Sequence, residues 1–234
     1  MINVSSLEGQ FVFMHLGKTA GTTVKSVVKS LKEHGEVTPF VTGHKISLQT
    51  VLERFPNAKL SITLRDPLER IISGFNSRLR QGRPIYDRMW TAREAAAFSL
   101  FNNVEDYFRA CISTREFDIS AARFTTRAVS QVSNGYARLF ADALTVRSHI
   151  TRFYCIGHIS NMQQTLSGIF SPLAVDPAYY ENVAPMHVSG ASSISVLNKF
   201  SPHEILALKT YFDAEYQIYN EFIRHVSVSI AKTY

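Results

Sequence analysis

The first third of the chain changes hydrophobic period several times. "FVFMHL", residues 11–16, is a β-rich and mostly apolar run that ends in a Gly/Thr cluster, the pattern of a buried strand. After the cluster Val24, Val27, Val28 and Leu31 recur at helical spacing, while Lys25, Lys29 and Lys32 take another face. Leu48, Val51, Leu52 and Phe55 predict a short helix over residues 47–55 that stops at Pro56, and "AKLSITL" predicts a second strand ending at Leu64. A right-handed crossover makes these two strands parallel. "RDPLER" then reads as a helix start, with Asp66 as N-cap, Pro67 at N1 and Glu69 at N3 closing a capping box. Leu68, Ile72, Phe75 and Leu79 form the core stripe of that helix, and Ser73 lies off it, near the face of Glu69 and Arg70.

Residues 80–150 predict several helices with irregular joins, and "RFYCIGHI" predicts a third strand followed by a helix through Leu166 to Phe170. A loop with Pro172, Pro177 and Pro185 leads to a last helix, announced by Ser201, Pro202 and Glu204, whose apolar residues Ile205, Leu208, Phe212, Tyr216, Tyr219 and Phe222 keep helical period. The alternation of strands and helices predicts an α/β fold with a central parallel sheet.

At 234 residues and 45% hydrophobic content the chain can bury one good core, so a single domain over 1–234 is expected. The net charge of +6 favours an anionic partner without choosing which. Cys111 and Cys155 have no metal-ligand spacing and read as reduced thiols. No stretch approaches the ~20 apolar residues that span a bilayer, and no secretory leader is recognised, so a soluble cytoplasmic protein is expected, with a trimmed Golgi-luminal domain as the alternative.

The loop at 17–23 combines Gly17, Lys18, Thr19, Ala20, Gly21, Thr22 and Thr23 at the start of a helix, where unpaired N–H groups and the positive end of the macrodipole favour an anion. The glycines permit close backbone approach, Lys18 adds a mobile charge and the threonines add hydroxyl donors. A nucleotide-triphosphate loop of Walker A type needs a glycine five positions before the Gly-Lys pair, and that position holds Val12. A lysine directly after the strand, with Gly-Thr-Thr opening the helix, instead resembles the 5′-phosphosulfate loop of sulfotransferases that use 3′-phosphoadenosine 5′-phosphosulfate (PAPS). That family carries a second signature after a later strand, and "LRDPLERIISGF" supplies Arg65, Asp66, Pro67, Arg70 and Ser73 at its spacing. "ITRFYCIGHISNMQQTL" and the Tyr-rich last helix resemble further parts of the family, and the carbohydrate branch of heparan and uronosyl 2-O-sulfotransferases is the nearest in look.

The resemblance implies a P-loop-type three-layer α/β/α domain with a helical insertion, and a donor whose 5′-phosphate is held by residues 17–23 and whose 3′-phosphate is held by Arg65 and Ser73. It implies sulfuryl transfer by in-line displacement to a hydroxyl, expected on an acidic saccharide, with 3′,5′-adenosine bisphosphate as product, no metal and no nucleic acid. "SNGYAR" adds Asn134 and Arg138 as nucleotide or acceptor contacts. Asp66 is better spent as a cap than in catalysis, and Arg70 reads equally well as an ion-pair member.

Of eight histidines, His44 in "TGHKI" stands where the 2-O-sulfotransferases carry a Gly-His catalytic element, and a histidine base suits neutral pH. That branch has another histidine two residues earlier, where this chain has Thr42. His15, expected as a core residue bonded to backbone, and His158 and His187 are the other candidates. Lys18 is expected to neutralise the leaving phosphate. Between Lys59 and Lys199 the chain has fourteen arginines and no lysine, which suits either an acidic acceptor or ion pairs along helices. A nucleotide kinase and a non-catalytic polyanion-binding module remain alternatives.

Overall fold

The structure is a computed structural model that describes residues 10–84, 86–183 and 193–226. Pro185 and His187 lie outside them. Two compact units are distinguished: Met1–Arg65, Tyr136–Val188 and Gln217–Tyr234 form the first, Asp66–Gly135 and Ser189–Tyr216 the second.

The first unit contains β1 (Phe11–Met14), α1 (Gly21–Glu33), β2 (Phe40–Val41), α2 (Leu48–Arg54) and β3 (Lys59–Leu64). The second contains α3 (Pro67–Leu79), α4 (Ala92–Leu100), α5 (Val104–Cys111), α6 (Glu116–Ala128) and α7 (Ser130–Ser133). The chain then adds α8 (Tyr136–Phe140), α9 (Ala143–His149), β4 (Phe153–His158) and α10 (Met162–Phe170) to the first unit, and α11 (Ser193–Leu197) and α12 (Pro202–Tyr211) to the second; α13 (Asp213–Ile223) begins in the second and ends in the first.

The fold is α/β. The strands form a four-stranded, all-parallel sheet in the order β2–β1–β3–β4, with Phe13 opposite Val41, Met14 opposite Ile62 and Leu64 opposite His158. Both faces are covered by helices, which is why the strands read as almost unbroken apolar runs. Val12, Met14, Leu60, Ile62 and Leu64 pack with Leu48 and Val51 of α2, Leu139 and Phe140 of α8, Val146 of α9, and Ile218 and Phe222 of α13. Phe13 and Cys155 face the other way, onto Val24, Val27, Val28 and Leu31 of α1 and Leu166, Ile169 and Phe170 of α10. Cys111 and Cys155 are both buried and free.

β2 lies on one side of β1 and β3 on the other, so the connections leaving β1 and β3 diverge. In open parallel sheets that divergence makes a crevice beyond the carboxyl ends of the strands. His15 to Ala20, Thr42 to His44 and Arg65 follow strand ends on this one edge, and His158 ends β4 there.

Among the described residues of the second unit the regular elements are all helices. The cap of α3 is the Asp66 carboxylate, which accepts the Leu68 and Glu69 N–H groups at 2.9 and 3.2 Å. The hydroxyl of Tyr216 donates to the same carboxylate at 3.0 and 3.1 Å. The expected box is complete at Ser201 and Glu204. The single last helix expected from the apolar spacing is two helices, broken at Phe212. The break lets the Phe212 ring pack 6.2 Å from that of Phe108 while Tyr216 reaches Asp66.

Candidate functional site

The anion loop is built from its backbone. Lys18 and Ala20 both take left-handed conformations, with φ of 69° and 61°. For residues with a Cβ this costs roughly 1–2 kcal/mol each, and such strain collects at ligand clamps. Alternation into the left-handed region turns successive N–H groups into a concavity that suits an anion. Ala20 precedes α1 without a side-chain cap, and within the first turn the Thr23 N–H is bonded to the Ala20 carbonyl at 2.9 Å.

Gly21 permits close approach, as the sequence suggested, for a reason the sequence did not show. A Cβ there would lie 2.0 Å from Cδ2 and Nε2 of His15, so the imidazole rests directly on the first residue of α1. The threonines divide. Thr19 is fully buried and its hydroxyl donates to the Leu16 carbonyl at 2.8 Å, which removes it from the expected ligand donors. Thr23 is buried as well, Gly17 is buried, and only the Thr22 side chain is exposed; Lys18 is half-buried.

His44 follows β2 and its ring centroid lies 4.0 Å from that of His15, at 52°. His44 as a whole is exposed. Partial desolvation lowers its pKa below the usual histidine value, and the Lys25 and Lys18 charges act in the same direction, while a hydrogen bond to the backbone of His15 opposes them. His44 is therefore neutral at neutral pH and can accept a proton.

His15 is 3% exposed, and burial, with the His44 and Lys25 charges adding to it, pushes its pKa down to about 2. Its backbone N–H donates to the Thr42 hydroxyl at 2.9 Å, and its Nδ1 has no hydrogen-bond partner. The expected backbone-bonded core histidine thus has its main chain, not its Nδ1, engaged, and its ring abuts the candidate base.

Arg65 follows β3, half-buried. Its main chain is pinned twice by the fully buried Tyr136, whose hydroxyl accepts the Arg65 N–H at 3.0 Å and donates to the Arg65 carbonyl at 2.8 Å. Tyr136 was missed from the sequence, although it stands between Asn134 and Arg138 in the quoted segment. His158 is engaged locally: its Nδ1 lies 2.8 Å from the Ser160 hydroxyl and accepts the Ser160 N–H at 3.2 Å, and its Nε2 lies 3.4 Å from the Tyr219 hydroxyl.

The first unit thus brings together Lys18, His15, His44 and the strand-end residue Arg65, and it also holds Arg138, which is exposed. Ser73 and Asn134 belong to the second unit. Ser73 is half-buried, and the Asn134 amide donates to the Ser130 carbonyl at 2.6 Å. Arg70 is fully buried and structural, donating to the Gln131 and Val132 carbonyls and to Glu215.

Much of the arginine-rich middle is spent on ion pairs. Arg78 binds Glu94 through two bonds of 2.8 Å, and Arg83, Arg109, Arg115 and Arg147 pair with Asp87, Glu204, Asp118 and Glu221. Arg152 binds the Ala58 and Pro56 carbonyls. A groove of about 670 Å³ in the second unit, lined by Arg109, Arg115, Asp118, His203 and Glu204 among others, does not include the lysine loop or His44. Among the described residues no helix is long and apolar enough to cross a membrane, and no group of three or more His, Cys, Asp or Glu is placed to hold a metal ion. No family model, curated protein or solved structure matches this chain.

Proposed function

We propose that this chain is a sulfotransferase that moves the sulfuryl group of 3′-phosphoadenosine 5′-phosphosulfate to a hydroxyl of an acidic saccharide, on a scaffold of P-loop type. One observation carries the reading. A strained, uncapped lysine loop, a neutral histidine that abuts it through His15, and a doubly pinned arginine follow neighbouring strands on a single sheet edge.

In this reading the backbone N–H groups of residues 19–22 and the Thr22 hydroxyl hold the 5′-phosphate, the Thr23 N–H being taken by the Ala20 carbonyl, and Arg65 holds the 3′-phosphate through its planar fork of donors. Ser73, Asn134 and Arg138 are assigned to nucleotide or acceptor by resemblance. His44 takes the proton of the acceptor hydroxyl as its oxygen bonds to sulfur. The sulfur–oxygen bond to the 5′-phosphate breaks, and Lys18 neutralises the charge left on that phosphate.

The test compares ligands and variants. Adenosine 3′,5′-bisphosphate should raise the melting temperature more than ATP with magnesium does, and labelled sulfate should pass from donor to an acidic polysaccharide. Lys18→Ala should lower kcat by on the order of 10²-fold while weakening bisphosphate binding far less. Stabilisation by ATP with magnesium alone points to a kinase. Binding of heparin-like polymers without transfer to any acceptor points to a polyanion-binding module.

A further inference from the structure

We propose that His15 is the positioning residue for His44: a buried ring after the end of β1 that holds the neighbouring imidazole beside the lysine loop. The inference rests on the reading of His44 as the base, although the geometry stands apart from it.

Three contacts fix the arrangement. The two rings are 4.0 Å apart. The His15 N–H is bonded at 2.9 Å to Thr42, two residues before His44, so the segments after β1 and β2 are tied together through main chain and side chain. The opposite side of the His15 ring is occupied by Gly21, where any Cβ would lie 2.0 Å from two ring atoms.

His15 is therefore a wedge between the residue that opens α1 and the base. Its Nδ1 has no partner, so packing and not a bond at that nitrogen sets the position of the ring. Burial keeps it neutral, so it places no charge against His44. The cations that bear on His44 are Lys25 and Lys18, both from the loop and helix on which His15 rests. Moving the wedge shifts His44 relative to those cations and to the 5′-phosphate loop together. For a group that must sit within hydrogen-bond reach of a proton, a misplacement of about 1 Å is enough to lower turnover by on the order of 10²-fold.

The test is the titration of His44, followed by NMR on histidine-labelled protein, in the wild type, His15→Ala and His15→Phe, with kcat, KM and bisphosphate affinity on the same samples. In His15→Ala the His44 titration should move up toward the ordinary histidine value near 6.5. Turnover should fall on the order of 10²-fold, with bisphosphate affinity little changed. His15→Phe, which keeps a ring on Gly21, should restore both.

Lys25→Gln should raise the His44 pKa with His15 in place, separating the charge effect from the positional one. Should His15→Ala fail to fold, Thr42→Val releases the His15 main chain without emptying the core and must move the same titration. A folded His15→Ala in which His44 titrates as in the wild type overturns the proposal. A moved titration in protein that sulfates nothing leaves the positioning intact and removes only the enzymatic reading.

Discussion

Replacing Tyr136 by phenylalanine removes one oxygen and leaves the ring. The ring packs in the core with its centroid 5.9 Å from that of Tyr219, so little apolar contact is lost. What is lost is the hydroxyl that accepts the Arg65 N–H at 3.0 Å and donates to the Arg65 carbonyl at 2.8 Å. A buried main-chain group deprived of its partner costs about 1–3 kcal/mol. Arg65 is half-buried, so water can reach it in part, and the two groups together should cost about 2 kcal/mol. In a chain of 234 residues that corresponds to a fall in melting temperature of about 4–8 °C. Urea denaturation followed by circular dichroism measures the first quantity and a thermal scan the second. Because the same hydroxyl aims the residue assigned to the 3′-phosphate, affinity for adenosine 3′,5′-bisphosphate should fall, while affinity for adenosine 5′-monophosphate, which lacks that phosphate, should not. A Tyr136→Phe protein with wild-type stability and wild-type bisphosphate affinity would show that the hydroxyl does not hold the Arg65 backbone, and the reasoning would fail at its first step.

Two further outcomes follow from the second unit. Burial works to raise the Glu94 pKa, but the paired bonds from Arg78 and those from Thr91 and Ser130 outweigh it and hold the carboxyl down to about 2. A depressed carboxylate contributes its stability in full above the unfolded value near 4.3 and loses it as pH falls toward 2, so acid denaturation should show this limb and Glu94→Gln should flatten it. At neutral pH Glu94→Gln should cost about 3–5 kcal/mol, because Arg78, 1% exposed, keeps its charge without a counter-ion. Gly74→Ala sets a helix-propensity gain of about 1 kcal/mol against a Cβ placed 2.8 Å from the Gln131 carbonyl oxygen. Backbone on both sides makes relief costly, so overpacking of about 1–3 kcal/mol should win and the midpoint in urea should fall.

Local signals read well in this chain and distant ones did not, and the candidate site is where the two meet. β1, β3 and β4 were legible because each is a buried apolar run bounded by turn residues, and α3 and α12 because Asp66 and Ser201 cap them within three residues. β2 was not, since Phe40 and Val41 are too few to show a period and owe their strand character to pairing with Val12 and Phe13. The break at Phe212 was hidden because apolar residues keep helical spacing on both sides of it. Arg70 is the ion-pair member that the sequence allowed, but its partners could not be named because they lie 61, 62 and 145 positions away.

Within residues 15–23 the sequence named the loop but not its atoms. It expected close backbone approach at the glycines, and Gly21 admits a ring, but the positive φ falls at Lys18 and Ala20, which the sequence did not mark. It offered Thr19 as a ligand donor, whereas the Leu16 carbonyl takes that hydroxyl, and it sent His15 to the core, where the ring is both core and neighbour of the base. A loop can be recognised by composition because the N–H groups that bind an anion belong to the main chain and ask little of particular side chains. The histidine beside it could be placed only by three segments meeting in space, and for that reason its role has to be tested at His15, Thr42 and Lys25 together and not at His44 alone.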